Sequence, residues 1–270
     1  MSIVEGVKPC TVRQAFYQAT VHGVVPKTEA GYDKVGRLLV EMRLDGSLPW
    51  DWIADHTRWM RKPTTFGSLE YAAQWWAAGY RRDLVRAVGR VEVWLEKDAL
   101  AGVIFPVTAE WDVPLMVTRG YSSLSFLHTA AEGWQAGGDC HEPVTVYYLG
   151  DHDPSGCDID RNIEKRLRSF APDTNLTFER IAVTVDQITD WDLPERPTKR
   201  SDIRSRGWVG GSVELDAVPP DNLRDLVRGA IQAHVDLEQL DRIRRAETAE
   251  RESIRDFADA LRDGHGEAEL

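Results

Sequence analysis

Cysteine is scarce in this chain of 270 residues: Cys10, Cys140 and Cys157 are odd in number and widely spaced. That pattern excludes both a disulfide framework and a zinc knuckle and reads as ordinary reduced thiols. Long apolar runs are missing as well, with no stretch of eighteen, so no membrane-spanning helix is expected. The opening MSIVEGVKPC has neither a basic segment followed by an apolar stretch nor an Arg-rich amphipathic leader, and the expectation is a soluble, cytoplasmic protein. No GxxxxGKS or GxxxxGKT phosphate loop occurs, which leaves the chain without an ATPase signature. Neither an internal repeat nor a low-complexity tract is present.

Positive charge is also in short supply. Lys and Arg number 33 against 44 Asp and Glu, a net charge of −11, and this argues at first against a nucleic-acid partner. The deficit is uneven, however. Residues 1–90 hold 13 basic and 9 acidic side chains, a net of +4, whereas the remainder holds 20 and 35, a net of −15. A mildly basic first part followed by a strongly acidic one suits a division between duplex contact and metal binding, although a solvated acidic surface gives the same numbers.

With 42% hydrophobic residues the chain can bury two ordinary cores. From Thr11 to about Tyr80 the apolar residues recur at helical spacing, as in Val12, Ala15, Phe16 and Ala19, then Val35, Leu38, Leu39 and Met42. Thr11 and Thr28 are the expected N-caps, the second opening a helix over Glu29 to Leu44 before the turn at Asp45-Gly46-Ser47. Helix, turn, helix and the connection through Trp50 and Trp52 resemble a winged-helix unit. A further helical stretch from Ser68 to Gly89 carries Trp75 and Trp76, expected in a core.

After Gly89 the pattern changes to short β-rich runs: Val91–Leu95, Pro114–Thr118, Val144–Leu149 and Phe178–Val183, with helical segments between them. Such alternation predicts a parallel sheet covered on both faces, whose ligands bind beyond the carboxyl ends of the strands. Pro194 to Gly211 reads as a long functional loop. From Asp221 an apolar stripe continues to Ile243; the tail is highly charged after Arg244, and its end, HGEAEL, is expected to fray.

Three carboxylates fall at the predicted strand ends, Glu96 after the first and Asp151 and Asp153 after the third. The two aspartates are two apart in Gly150-Asp-His-Asp-Pro-Ser-Gly156, so extended backbone points them to one side, as shared binding of a hard cation such as Mg²⁺ requires. An isolated turn capping the next helix would use the same residues. His152 between them is expected to be structural. Glu214 and Asp216 share period-2 spacing and suit either support of a metal or a solvated strand face.

Leu95-Glu-Lys-Asp-Ala-Leu100, Thr118-Arg-Gly-Tyr-Ser-Ser123 and Gly150–Gly156 together resemble the Toprim domain of the topoisomerase VI A subunit and of the meiotic double-strand-break transesterase. Val185–Ile188, Leu193-Pro194, Thr198-Lys199 and Val213–Ala217 with Pro219-Pro220 resemble a downstream segment of small bacterial and phage relatives, so the likeness spans most of residues 91–235. The resemblance implies that Glu96, Asp151 and Asp153 bind Mg²⁺. Thr11-Val-Arg-Gln-Ala-Phe-Tyr17 is similar to the family segment in which an arginine precedes the nucleophilic tyrosine by four positions, with Phe16 where a second tyrosine is usual. The stretch through Gly23, Tyr32, Arg43, Gly46, Ile53 and Asp55–Arg58 is similar to the family's winged-helix half. Residues four apart share one helix face, so Arg13 and Tyr17 can address one phosphate. A phenol with a pKa of about 10 is a weak nucleophile and needs a nearby cation.

The reading that follows is an α/β protein with a winged-helix-like domain over residues 1–88 and a Toprim domain, with a C-terminal helical extension, over residues 89–270. The resemblance implies that Tyr17 attacks duplex DNA to give a 5′-phosphotyrosyl link, with Arg13 stabilising the phosphate. It further implies a homodimer in which the tyrosine of one subunit meets the metal of the other, and a separate ATPase subunit for strand passage. A Toprim nuclease that uses water and a DNA-binding module without catalysis are the alternatives.

Overall fold

The computed structural model of the chain describes residues 1–54, 63–136, 142–197, 208 and 210–264. In chain order its elements are α1 (Ser2–Val7), α2 (Val12–Val21), α3 (Glu29–Leu44), α4 (Leu69–Gly79), α5 (Val85–Val88), β1 (Arg90–Leu95), α6 (Ala101–Glu110), β2 (Leu115–Val117), α7 (Leu124–Ala136), β3 (Val144–Leu149), α8 (Gly156–Phe170), β4 (Leu176–Ala182), α9 (Val185–Asp190), α10 (Pro220–Gln232) and α11 (Leu237–Gly264). Asp55–Arg58, Cys140 and Thr198-Lys199 lie outside the described residues. No described helix is long and apolar enough to cross a membrane.

The chain forms two compact units, Met1–Arg58 with Arg90–Ala233, and Trp59–Gly89 with His234–Leu270. The segment expected as one domain, 1–88, is therefore shared out, with α1–α3 in the first unit and α4–α5 in the second.

The first unit is mixed α/β, built on a four-stranded parallel sheet in the order β2-β1-β3-β4. All four expected strands are present, displaced by no more than two residues at either end. From β1 the chain crosses to β2 on one side, and from β3 to β4 on the other. Right-handed crossovers then send α6 to one face and α7 and α8 to the opposite face. On the second face Trp94, Val144, Val146 and Tyr148 of the sheet pack with Leu127, Ala131 and Trp134 of α7 and with Ile159, Ile163 and Leu167 of α8. On the first face α10 packs on α6 and β4, with Leu223, Val227 and Ile231 fully buried. Two covered faces explain why β1 and β3 end in continuous buried runs rather than alternating ones.

The helical part of this unit begins with a cap. Thr11 Oγ1 accepts the N–H of Gln14 at 3.1 Å while Gln14 Oε1 accepts the N–H of Thr11 at 3.0 Å, a reciprocal capping box that fixes where α2 starts. Thr28 caps α3 in the expected place, and Phe16 meets Tyr32 edge to face at 5.5 Å, joining the two helices. Of the wing expected after α3, the described residues contain an isolated parallel bridge between Cys10 and Ile53.

In the second unit α4 and α5 pack on α11. One expectation is corrected here. Trp75 and Trp76 are each 51% exposed rather than in a core, because the face of α4 that is buried presents the small side chains of Ala72, Ala73 and Ala77. The charged tail is helical to Gly264, carried by intrahelical pairs such as Arg242–Glu238, Arg251–Glu247 and Arg262–Asp259, and the HGEAEL end expected to fray lies outside the described residues.

Candidate active site

The order of the strands decides where chemistry can sit. Between β1 and β3 the connections leave in opposite directions, which opens a crevice beyond their carboxyl ends. Glu96 and Gly150 continue the ladder one residue past the strands, through Glu96 N–H to Leu149 O at 2.9 Å and Gly150 N–H to Ala182 O at 2.8 Å. Glu96 and Asp151 are thereby brought together, and the Asp151 N–H donates to Glu96 Oε2 at 3.0 Å. Asp153 lies in the following turn, its Oδ1 accepting the Gly156 N–H at 2.6 Å. Gly156 is required there, since an added Cβ would stand 2.2 Å from the Asp151 carbonyl oxygen.

The turn is also held from β4. Arg180 donates to the carbonyl oxygens of Gly150, Asp151 and Gly156 at 3.0–3.1 Å and pairs with Asp160 at 2.5 Å. His152 fastens it to a second segment by paired backbone bonds to Val213, and its ring lies 5.0 Å from that of Trp208. Neither Glu214 nor Asp216 lies on a solvated strand face. Asp216 is 3% exposed in a short 3₁₀ turn, Leu215–Ala217, and binds Lys97 Nζ at 2.7 Å. Lys97 reaches Asp151 Oδ1 at 2.9 Å as well, and that oxygen also accepts the Leu215 N–H.

The acids respond to this confinement. Burial, then the charges of Asp151 and Asp153, pushes Glu96 up to about 7. Burial also raises Asp151, against the pull of Lys97. Burial alone would lower Lys97, but Asp216 and Asp151 outweigh it and hold the ammonium charged.

Among the described residues no three His, Cys, Asp or Glu side chains are already closed into a metal-binding group. The site nevertheless has the features a hydrated hard cation needs. Its donors are carboxylate oxygens. A Cβ placed on Gly150 would fall 2.6 Å from Glu96 Oε2 and 3.0 Å from the Tyr148 hydroxyl, so the missing side chain leaves open the space both groups border. That hydroxyl is fully buried with no hydrogen-bond partner among the described residues, and a bound water would satisfy it.

Tyr17 and Arg13 belong to the same unit and meet the carboxylate network through Glu214. The Tyr17 hydroxyl donates to Glu214 Oε2 at 3.2 Å, and Arg13 Nη1 binds the same oxygen at 2.9 Å. Lys97 Nζ lies 3.9 Å from Glu214. Arg196 pairs with Glu214 Oε1 and donates from Nη2 to the Tyr17 oxygen at 2.6 Å. The phenol is only 2% exposed, and burial, followed by Glu214, pushes its pKa up to about 12. Glu214 itself is raised by burial but more strongly lowered by Lys97, Arg13 and Arg196, so it is a carboxylate.

No protein-family model matches this chain, and no curated protein sequence does. The site therefore rests on its own geometry. Sequence reasoning missed Arg196, which sits in the Pro- and charge-rich stretch read as a loop, and Arg180, one of several charged residues in a strand pattern. Neither carries a local signal, because each is defined by a partner far along the chain.

Proposed function

We propose that the protein cleaves the phosphodiester backbone of duplex DNA in a Mg²⁺-dependent transesterification, with Tyr17 as nucleophile and Arg13 stabilising the phosphate. Glu96, Asp151 and Asp153 would hold the cation, which when bound would orient the phosphate and offset its charge. The observation that carries this reading is the continuous polar chain from the Tyr17 hydroxyl through Glu214 and Lys97 to Asp151 within one compact unit. A cleft of about 650 Å³ is lined by Arg13, Arg43, Lys97 and Arg119 together with Glu96, which sets cations for a phosphate beside a carboxylate for a metal. By resemblance the working form is a homodimer that cuts both strands, and strand passage would draw on a separate ATPase subunit.

One observation favours a second reading. The buried phenol of Tyr17, bonded to both Glu214 and Arg196, is also what a structural tyrosine looks like, and water would then be the nucleophile of a Toprim-like nuclease. The two separate cleanly. Supercoiled DNA is incubated with Mg²⁺ and the protein, then run with and without protease. Transesterification gives breaks that carry covalently bound protein, and Tyr17→Phe, which removes one hydroxyl, abolishes both break and adduct while duplex binding persists. Breaks free of protein, or full cleavage by Tyr17→Phe, establish the hydrolytic reading instead.

A further inference from the structure

The helical spacing of Arg13 and Tyr17 assigns Arg13 as the cation nearest the nucleophile, yet the side chains are arranged otherwise. Arg13 Nη1 is turned onto Glu214 Oε2, and it is Arg196, 179 positions along the chain, that donates to the Tyr17 oxygen at 2.6 Å. Resting on the transesterase reading above, we infer that Arg196 is the group that stabilises the Tyr17 phenolate, with Glu214 as the residue that positions it.

Three features make Arg196 suited to this. Its guanidinium is shared, Nη1 binding Glu214 and Nη2 binding Tyr17, so a rigid planar fork spans the two groups and fixes the donor on the phenol oxygen. Its backbone is fixed too, by reciprocal bonds between Arg196 and Ser212 at 2.8 Å each way. It also lines, with Arg13 and Lys27, a second cleft of about 780 Å³, a space with the cations to take a phosphate. The other charged groups facing Tyr17 are accounted for. Glu214 opposes ionisation, Arg13 favours it less than Arg196 does, and Lys27 Nζ stands 5.5 Å from the ring centroid with its ammonium bonded to the Pro194 carbonyl. Beyond Glu214 lie Lys97 and Asp216.

In the reaction the Tyr17 oxygen bonds to phosphorus as the bond from phosphorus to the 3′ oxygen breaks. The phenolic proton passes to solvent, and the departing 3′ oxygen takes up one proton to become a hydroxyl. No oxidant or co-substrate is consumed. A hydrogen bond from a guanidinium strengthens as the phenol oxygen gains charge, so its contribution is larger in the phenolate than in the resting phenol.

The test replaces Tyr17 with 2,3,5-trifluorotyrosine in the full chain, which brings the phenol into an accessible pH range, and follows its titration by ¹⁹F NMR. Arg196→Met raises the pKa by about one unit or more, Arg196→Lys recovers part of the shift, and Glu214→Gln, which keeps an acceptor for Arg196 but removes the opposing charge, lowers it. Arg13→Met has the smaller effect. In the unlabelled protein Arg196→Met slows adduct formation about tenfold or more at neutral pH, with partial recovery as the pH rises. An unchanged titration in a folded Arg196→Met variant, or a larger shift from Arg13→Met, overturns the assignment. Absence of any adduct from the wild-type protein overturns the transesterase reading, while the ¹⁹F titration still decides whether Arg196 governs the acidity of Tyr17.

Discussion

At the carboxyl end of β1, Glu96 is an acid held in a place that resists its charge. Its pKa is raised from the model-peptide range to about 7, first by burial and then by Asp151 and Asp153. In the unfolded chain it ionises near 4.5, so above pH 7 the folded protein bears the full cost of a buried carboxylate, and that cost fades as the pH falls from 7 towards 4.5. Glu96→Gln removes it. In the absence of divalent cations the variant should therefore be more stable than the parent at pH 8, by on the order of 3 kcal/mol at most, and equal to it near pH 4.5. Urea unfolding at the two pH values measures the difference, and equal stability at pH 8 would show that Glu96 is solvated. The sign also bears on the proposed metal, since a cation relieves the repulsion that raises the pKa. Mg²⁺ should stabilise the parent at pH 8 and leave Glu96→Gln nearly unaffected, as thermal melts with and without the ion will show.

At the scale of elements, the ends of the helices were the most legible feature. Thr11 and Thr28 each precede an apolar periodic run, and each caps the helix that its position implied. The cap of α2 bears directly on the site, because this helix carries both Arg13 and Tyr17. Thr11→Ala deletes the oxygen that accepts the Gln14 N–H and should cost about 1 kcal/mol of stability. Chemical denaturation gives that figure, and a loss below a few tenths would mean that packing alone fixes the start of α2. The second unit went differently. Between Gly79 and Val85 the expected long helix breaks into α4 and α5, and its tryptophans face outward. Periodicity gives the spacing of a stripe but not which stripe is covered, and alanines rather than tryptophans were chosen by what packs against them. In α11, charges of opposite sign three and four residues apart support the helix.

For the whole molecule, the net charge of −11 says little about a DNA partner, because local arrangement overrides the total. Arg13, Arg43 and Arg119 line one cleft beside the carboxylates although the chain as a whole is acidic. Cutting both strands of a duplex further requires two copies of Tyr17. Sedimentation velocity should accordingly return twice the 30.5 kDa chain mass, and linear products should dominate over nicked circles. A strictly monomeric protein that only nicks would remove the double-strand part of the proposal. The sequence by itself determined the strands, the helix caps and the position of Glu96 and Asp151 just past strand ends with Asp153 in the turn that follows, because hydrophobic period, capping and turn chemistry act over a few residues. Only the tertiary structure decided that Lys97 neutralises Asp151 and Asp216, that Arg180 ties down the aspartate turn, and that Arg196 rather than Arg13 meets the Tyr17 oxygen. Those pairings join segments as much as 179 positions apart, and which charge finds which partner is set by how the sheet order and its crossovers bring the segments together.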